Sequence, residues 1–457
     1  MTVVQGARAV AYEVLRAVTD DEAYANLLLP HAIARAGLDA KDAGLATELT
    51  YGTLRRRGTY DAIIAVAADR GVDRIDPPVL DALRLGVHQL LSTRVASHAA
   101  VNESVELARR HGGGRGAAGF ANAVLRRVSR ETPGHWLERA AAAARSDDER
   151  TGVTTSHPVW IVRALRRALA AEGRADELDA LLEADNVAPR VAMIALPGLA
   201  EPPADARATP YAPTAFTTSG GDPETLITAS DGRIRVQDEG SQLAALALTR
   251  ALPVRAGERW LDLCAGPGGK TALLAAEALA NGAHLDANEI SPARAGLVRR
   301  AVASLPLPVE VSEEDGRDRA ARAPGEYDRI LVDAPCTGIG ALRRRPEARW
   351  RKTPADVPDL TALQRELVLA GFAALAPGGV LAFVTCSPHL AETAGVLAEV
   401  KRELGEAAEE LDAREVVRGV VRDDIDLPDQ ADGSLRAQLW PHRHGTDAMS
   451  IALLRKR

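Results

Sequence analysis

Cysteine, aromatic residues and long apolar runs are all scarce in this sequence. The 457 residues include only three cysteines, widely spaced and without a Cys-x-x-Cys pair, which argues against a disulfide framework and against a zinc site. No uninterrupted apolar run reaches the roughly 18 residues that a membrane-spanning helix needs. The first residues, MTVVQGARAVAYEVL, lack the basic-then-apolar pattern of a signal peptide and are typical of an amphipathic helix. These absences predict a cytoplasmic protein with free thiols, no metal and no membrane segment.

The charge balance does not by itself indicate a nucleic-acid partner. The formal net charge is −7, but residues 1–130 hold 17 Lys+Arg against 14 Asp+Glu, a net of +3, so the remainder (39 against 49) carries −10. A local basic surface holds phosphate groups even on an acidic protein. The length predicts two to four domains.

Hydrophobic periodicity divides the chain into regions predicted at 1–135, 136–228 and 229–457. The first region has the helical period and no convincing strand. Its glycine-rich stretch His111–Gly119 is predicted to be a flexible loop between two helices. Two basic clusters in this region fit either solvated helix faces or RNA contacts: Arg55, Arg56 and Arg57, and Arg109, Arg110, Arg115, Arg126 and Arg127.

The second region is predicted to be a connector, and the third an α/β domain. The connector has helical patterns near Trp160–Leu169 and Asp176–Ala184, then a long Ala-, Pro- and Thr-rich loop at Pro197–Gly221. From residue 229 strands alternate with helices, which predicts a doubly wound, mostly parallel sheet. The predicted strands are Arg259–Leu263, His284–Asn288, Val309–Ser312, Arg329–Val332 and Val380–Thr385.

A glycine-rich turn, LDLCAGPGGKT, joins the first of these strands to a helix at Leu261–Thr271. A P-loop would need its first glycine where Cys264 stands. A dinucleotide fingerprint starting at Gly266 would need its last glycine where Thr271 stands. An S-adenosylmethionine pocket needs neither, only a turn that admits the amino-acid end of the cofactor.

Two acidic residues follow the next strands in register with that turn. Glu289 ends the second strand, where a carboxylate accepts hydrogen bonds from both ribose hydroxyls. Asp315 follows the third strand, where it would meet the adenine amino group. Each acid alone is typical of a surface, whereas the set together favours a nucleoside-containing cofactor.

The two remaining motifs each place a cysteine after a strand. DAPCTG at Asp333–Gly338 follows the fourth strand, and VTCS, with Cys386, ends the fifth. Loops after adjacent parallel strands meet at the carboxyl edge of a sheet. A lone cysteine is usually a small buried hydrophobe. Two of only three cysteines at facing strand ends favour a function.

Two thiols and one carboxylate meet the needs of methyl transfer to carbon 5 of cytosine. That carbon is a poor nucleophile until a thiolate adds to carbon 6. The reaction also needs a hydrogen-bond or acid partner at ring nitrogen 3. A base must then remove the carbon 5 proton so that the thiol leaves.

The motifs together resemble the RNA 5-methylcytosine methyltransferases, and within them the bacterial 16S ribosomal RNA enzymes whose amino-terminal domain is similar to the antitermination factor NusB. The set DLCAGPGGKT, DAPCTG and TCS in this order is highly specific, and the resemblance covers nearly the whole chain. It extends to Ala7-Arg8, Tyr51–Arg55, Ala100–Glu103, Phe120–Arg126, Ser156–Trp160, Val236–Asp238, Ser241-Gln242, Arg343–Glu347 and Trp350.

The resemblance implies an all-α NusB-like domain before a Rossmann-like catalytic domain, and a role for each site residue. Cys386 would attack carbon 6, Cys336 would assist release as or through the base, and Asp333 would lie at nitrogen 3 and near the cofactor. This two-cysteine arrangement argues against a DNA cytosine methyltransferase, in which the Pro-Cys cysteine is the nucleophile. The S-adenosylmethionine site would comprise Cys264, Ala265, Gly266, Pro267, Gly268, Gly269, Lys270, Glu289, Asp315 and Asp333.

Three departures from the family pattern concern the turn and the connector. Many relatives have a small residue other than glycine at Gly266. The connector reads Arg190-Val191-Ala192 where the family often shows Arg-Val-Asn, and Pro197–Gly221 is individual to this chain.

The expected partner is RNA, bound by a monomer. Ribosomal RNA is the first choice of substrate, and the target cytosine must lie in an open loop or be flipped out. The alternatives are the same chemistry on transfer RNA, and a non-catalytic RNA-binding or antitermination protein.

Overall fold

The amino-terminal region is built of helices. In the computed structural model, which describes residues 6–20 and 23–457, none of the described residues before Met193 forms a strand, and the all-helical prediction is confirmed. The helix predicted at the start of the chain is described from Gly6 onwards, because residues 1–5 lie outside the described residues. The helices are α1 Gly6–Asp20, α2 Ala25–Ala36, α3 Ala40–Arg55, α4 Arg57–Ala68, α5 Pro77–Ser92, α6 Ser97–His111, α7 Arg115–Val128, α8 Pro133–Ala141, α9 Asp147–Thr155, α10 Val159–Ala170 and α11 Leu178–Ala184.

Apolar side chains at helical spacing hold these helices together. On α1 the buried residues include Val10, Val14 and Val18, which recur every four positions along one face. They join a core shared with α3, α4 and α5. The loop predicted at His111–Gly119 is shorter than expected: α6 runs through His111 and α7 begins at Arg115, so only three glycines remain outside the helices.

A small antiparallel sheet draws two of its four strands from the predicted connector loop. Its strands lie in the order β2-β3-β1-β4, with α12 before β4. The long loop predicted at Pro197–Gly221 was wrong in part, because β2 and β3 lie inside it. Both strands are only two or three residues long, too short for an alternating pattern to mark them in the sequence. The elements are β1 Met193–Ala195, β2 Arg207–Ala208, β3 Ala215–Thr217, α12 Pro223–Ala229 and β4 Ile234–Val236.

The large sheet is doubly wound and mostly parallel, as predicted. Its order is β10-β12-β9-β8-β5-β6-β7, with β11 paired to β12. The five strands from β9 to β7 are parallel, while β12 is antiparallel to β9 and to β10. The elements are α13 Glu239–Arg250, β5 Arg259–Asp262, α14 Gly269–Asn281, β6 His284–Asn288, α15 Pro292–Val302, β7 Val309–Ser312, α16 Gly316–Ala321, β8 Tyr327–Asp333, α17 Val357–Ala374, β9 Leu375–Thr385, α18 Ala394–Leu404, β10 Ala408–Leu411, α19 Ala413–Arg418, β11 Ala437–Gln438, α20 Pro441–His444 and β12 Ser450–Lys456.

The central strands are buried on both faces, which explains their apolar sequences. In β8 the run Ile330, Leu331 and Val332 is fully buried, and successive side chains enter opposite cores. The reversal of strand order at β5 creates a topological switch point between β5 and β8. No helix among the described residues is both long and apolar enough to cross a membrane.

Two compact units are interleaved along the chain. One comprises the described part of Met1–Arg163 together with Leu182–Ala188 and Leu342–Lys352. The other comprises Ala164–Leu181, Pro189–Ala341 and Thr353–Arg457. The boundaries predicted near 135 and 228 stay predictions. The unexpected feature is Leu342–Lys352, which follows the DAPCTG motif in sequence but belongs to the helical unit.

Arg349 holds that segment in the helical unit. Its guanidinium is fully buried, and Nη1 donates to the carbonyl oxygens of Arg55 (2.8 Å) and Ser156 (3.1 Å) and to Asn186 Oδ1 (2.8 Å). Nη2 donates to the carbonyl oxygen of Asp185 at 2.8 Å. Burial lowers the pKa of Arg349 to about 10, so the group is still charged at neutral pH. One side chain therefore satisfies acceptors from three separate stretches of chain.

Replacing Arg349 with Met is expected to destabilise the helical unit by roughly 3 kcal/mol or more, because each buried acceptor left without a donor costs roughly 1–3 kcal/mol. Native-state hydrogen exchange of that unit measures the loss. The matched control is Arg163→Met, which removes a mostly exposed guanidinium paired with Asp148 and should cost less than about 1 kcal/mol. Equal protection in both variants would contradict the structural role of Arg349.

Candidate active site

The three motifs lie at one edge of the sheet because the strands that precede them are neighbours. β8 pairs in parallel with β5 on one side and with β9 on the other. The glycine-rich turn, the DAPCTG loop and the TCS loop leave the carboxyl ends of these strands. The juxtaposition predicted from the strand-end positions is present.

The thiols of Cys336 and Cys386 are in contact. Their Sγ atoms lie 3.5 Å apart, and both side chains are half-buried. The loops are also joined through the backbone, since Gly340 N donates to the carbonyl oxygen of Cys386 at 2.9 Å. Cys264 contacts the apolar core that contains Leu261, and burial raises its pKa well above the ordinary value. Cys336 and Cys386 are therefore close enough to take part in one reaction.

The neighbouring thiol controls the protonation of Cys336. The hydrogen bond with Cys386, followed by burial and by the charges of Cys386, Glu392 and Asp333, raises the pKa of Cys336 well above its usual range. Cys336 therefore keeps its proton near neutral pH and is able to donate it in a hydrogen bond to the sulfur of Cys386.

An ion pair between Lys270 and Asp333 lies in the same crevice. Lys270, in the first turn of α14, donates from Nζ to Asp333 Oδ2 at 2.8 Å. Burial alone would lower the pKa of Lys270, but the Asp333 carboxylate and, more weakly, Cys386 outweigh it and raise that pKa. A permanent ammonium group near Cys386 favours negative charge on its sulfur.

Glu392 is a functional candidate that the sequence did not reveal. Its carboxylate is fully buried and accepts hydrogen bonds from Thr337, next to Cys336, and from Ser387, next to Cys386. A single acid in a loop, outside any strand-end motif, carries no recognisable signal.

The glycine-rich turn is a close-packed cradle. Gly268 has φ +104°, and a Cβ there would lie 2.7 Å from the Ala301 Cβ. A Cβ at Gly266 would lie 2.3 Å from Glu289 Oε2. Only glycine fits either position without movement of its neighbours.

Glu289 lies beside this turn, at the end of β6. Its Oε2 accepts from Gly266 N at 3.0 Å, and its Oε1 accepts from Ser291 N at 2.9 Å and from the Arg294 guanidinium at 2.7 Å. The side chain is 2% exposed. The predicted ribose contact stays a prediction, and it would compete with these donors.

Asp315 caps α16 and is held by Arg317. Its Oδ1 accepts from the Arg317 backbone N–H at 2.8 Å, and the guanidinium of Arg317 donates to both carboxylate oxygens. The hydrogen bond from Arg317 lowers the pKa of Asp315. The carboxylate is charged and oriented, and its contact with an adenine amino group stays a prediction.

Asp262 lies in the glycine-rich motif Leu261–Thr271 but was not among the predicted cofactor-site residues. It supplies a buried hydrogen-bond acceptor. Its Oδ2 accepts from Thr271 Oγ1 at 2.7 Å, whereas none of the described residues donates to Oδ1. Burial raises the pKa of Asp262 to about 7. An incoming ammonium group would relieve both the unpaired oxygen and the raised pKa. The turn and Asp262 thus fit the amino-acid end of S-adenosylmethionine.

The basic cluster predicted at Arg55–Arg57 is largely structural. Arg55 is buried, Arg56 pairs with Glu183, and the Arg57 guanidinium lies 5.8 Å from the centre of the Trp350 ring. In the second cluster, Arg109 and Arg110 pair with Glu106, Arg127 donates to the carbonyl oxygen of Ala67, and Arg115 and Arg126 are exposed. In residues 6–20 and 23–457 no group of three His, Cys, Asp or Glu side chains is arranged to hold a metal ion.

Comparison with known proteins shows the family. Residues 249–455 match the profile of 16S rRNA methyltransferase RsmB/F, and residues 5–130 match the NusB family. Rv1407 of Mycobacterium tuberculosis is 48% identical over 456 residues, covering 98% of this chain and 96% of the relative. Ribosomal RNA small subunit methyltransferase B of Pseudomonas putida is 34% identical over 404 residues, covering 85% of this chain and 87% of the relative.

A solved structure shares the fold. The crystal structure of PH0851 matches with a TM-score of 0.80 at 20% identity, covering 100% of this chain and 99% of the other. The chain belongs to the RsmB/F family of S-adenosylmethionine-dependent 16S ribosomal RNA methyltransferases, with a NusB-family region at its amino-terminal side.

Proposed function

We propose that this protein transfers a methyl group from S-adenosylmethionine to carbon 5 of a cytosine in 16S ribosomal RNA, through a covalent bond between Cys386 and carbon 6. The observation that carries the proposal is the contact of two thiols, 3.5 Å apart, at the carboxyl ends of neighbouring strands. Methylation of a ring nitrogen or a ribose oxygen has no use for a second thiol. Methylation at carbon 5 needs a nucleophile and, later, a group that removes a proton.

Cys386 is the proposed nucleophile because its neighbours favour charge on its sulfur. Lys270 supplies a nearby positive charge, and the protonated Cys336 supplies a hydrogen-bond donor. The Cys386 sulfur forms a bond to carbon 6. The electron pair displaced from the ring moves to nitrogen 3, and Asp333 relays to that nitrogen the proton that the Cys386 thiol released on ionising. Lys270 holds Asp333 at 2.8 Å and so orients it for this hydrogen bond.

Carbon 5 of the adduct is then nucleophilic. When bound, S-adenosylmethionine would supply an electrophilic methyl group, with its sulfur as the leaving group. As carbon 5 forms its new bond, nitrogen 3 returns its proton to the Asp333 carboxylate. Removal of the carbon 5 proton then restores the double bond between carbons 5 and 6 and expels the Cys386 sulfur as a thiolate.

The contact between the thiols explains when Cys336 becomes able to act as the base. While Cys386 is free, it is the largest cause of the raised pKa of Cys336. Once the Cys386 sulfur is bonded to carbon 6, it carries no charge and is a weaker hydrogen-bond acceptor, so its effect on the pKa of Cys336 decreases. Cys336 then loses its own proton to solvent water more readily, and its thiolate is able to take the proton from carbon 5. Cys336 therefore acts as a base only after Cys386 has reacted.

The cofactor would be held by the glycine-rich turn and the acids around it. Cys264 to Lys270 would surround its amino-acid end, with Asp262 receiving the ammonium group. Glu289 would bind the ribose hydroxyls after exchange with Arg294, and Asp315 would receive the adenine amino group. Ile290, 59% exposed beside Glu289, offers an apolar surface for the adenine ring. The protein is expected to act as a cytoplasmic monomer.

Bisulfite sequencing of ribosomal and transfer RNA, from cells with and without this gene, tests the proposal. Loss of one 16S ribosomal cytosine mark supports it and identifies the site. Loss confined to transfer RNA would keep the chemistry and replace the substrate. A purified enzyme that transfers no methyl group to any RNA would instead favour the non-catalytic RNA-binding protein.

Cys386→Ala is expected to lower methyl transfer to 16S ribosomal RNA by roughly a thousand-fold or more, because no other group forms the bond to carbon 6. Cofactor affinity, measured by equilibrium binding, should stay within about threefold of the wild-type value, since Cys386 is not among the residues proposed to hold the cofactor. Transfer at the wild-type rate would overturn the assignment of the nucleophile.

Cys336→Ala is expected to accumulate a covalent protein–RNA adduct, because the carbon 5 proton is not removed and Cys386 does not leave. The adduct appears as a band of reduced mobility on a denaturing gel when RNA and cofactor are both present. The double variant Cys336→Ala, Cys386→Ala is the matched control and should show no such band. Free RNA alone in the single variant would argue against the role of Cys336 in release.

A further inference from the structure

We propose that Glu392 is a positioning residue that fixes the two cysteine loops relative to each other, so that the thiols meet at the distance that the reaction requires. Glu392 ends the short 3-10 turn Leu390–Glu392 between β9 and α18. The inference rests on the proposed function for its catalytic consequence, but its geometric content is independent of any substrate.

The carboxylate bonds to the residue that follows each cysteine. Oε1 accepts from Thr337 N at 2.7 Å, and Oε2 accepts from Thr337 Oγ1 at 2.5 Å and from Ser387 Oγ at 2.6 Å. The two hydroxyls also lie 3.1 Å from each other. A single buried carboxylate therefore joins the Cys336 loop to the Cys386 loop at the position next to each sulfur-bearing residue.

A third element completes the arrangement. Gln364, on α17, donates from Nε2 to the carbonyl oxygen of Pro335 at 2.8 Å and to Glu392 Oε1 at 3.2 Å. The backbone is thus held on both sides of Cys336, at Pro335 by Gln364 and at Thr337 by Glu392. Because Cys336 has little freedom to shift along the loop, the contact between its sulfur and Cys386 is set by the scaffold.

The chemistry of the donors explains why this position carries a carboxylate. Four hydrogen-bond donors converge on Glu392. Two of them, the Thr337 backbone N–H and the Gln364 side-chain NH2, are able only to donate. A carboxylate is the side chain that presents two acceptor-only oxygens. In the buried site, loss of both oxygens would leave these donors unpaired, and the loops would separate to reach other partners.

Glu392→Ala, made in the full-length protein, tests the proposal. We expect kcat for RNA methylation to fall about 100-fold, the order of loss that follows a displacement of about 1 Å in a catalytic group. KM for RNA and for the cofactor should stay within about threefold, because Glu392 contacts neither site. Glu392→Gln should recover most of the activity: its oxygen serves the two amide donors, and its NH2 group donates to the hydroxyls, which are able to accept.

The geometric readout needs neither RNA nor cofactor. Diamide oxidises two adjacent thiols to a disulfide and is itself reduced to the hydrazine, and thiols 3.5 Å apart need little movement to react. Mass spectrometry follows formation of the Cys336–Cys386 bond. We expect a rate at least tenfold lower in Glu392→Ala and near the wild-type value in Glu392→Gln.

The control is Glu172→Ala, in the same unit. Glu172 is also a buried carboxylate with neutral donors, accepting from Gln430 Nε2 at 3.1 Å and from Trp440 Nε1 at 2.8 Å. It should lower stability while leaving kcat and the disulfide rate unchanged. If Glu392→Ala does not fold, Gln364→Leu, which removes the bridge from Pro335 to Glu392, replaces it.

The outcomes separate this inference from the proposed function. Wild-type kcat and disulfide rate in Glu392→Ala would overturn it, as would equal losses in the Glu172 control. A slow disulfide in Glu392→Ala, in a protein whose wild type methylates no RNA, would support the positioning role and reject the proposed reaction alone.

Discussion

The parallel pairing of β8 with β5 and β9 is the constraint on which the rest of the catalytic unit depends. Parallel strands end at the same edge, so whatever follows them is forced together. Three loops of different composition share that edge: one carries the glycine-rich turn, one Asp333 and Cys336, and one Cys386. A change of strand order would scatter these groups, whereas a change of loop sequence alters only the chemistry at a fixed place.

This arrangement places two ionisable thiols and a carboxylate close together, and neighbouring residues compensate for their negative charge. Two thiols in contact resist ionising together, and a carboxylate beside them resists it further. Lys270 supplies the compensating charge, and amide and hydroxyl donors, rather than a second cation, hydrogen-bond to Glu392. The site is therefore suited to one negative sulfur at a time, which agrees with the proposed order in which Cys386 and Cys336 react.

The sequence was informative where function and backbone geometry coincide. The central strands are continuous apolar runs, and their ends are marked by glycine, cysteine and acids, so the residue pattern alone locates β5 to β9 and the motifs at their ends. It does not locate Glu392 and Arg349, because their roles arise from hydrogen bonds between segments distant in sequence. The same reason hides β12, in which Ser450 pairs with Thr385 of β9 across several intervening elements.

Between Cys336 and Arg349 the chain passes from one compact unit to the other. The chain runs from Cys336 to Ala341 within the catalytic unit and then enters Leu342–Lys352, which Arg349 fastens among the helices. The Cys336 loop is thus held near its sulfur by Glu392 and Gln364. A loop held in this way loses little conformational entropy when RNA arrives, because its ordering was completed when the protein folded.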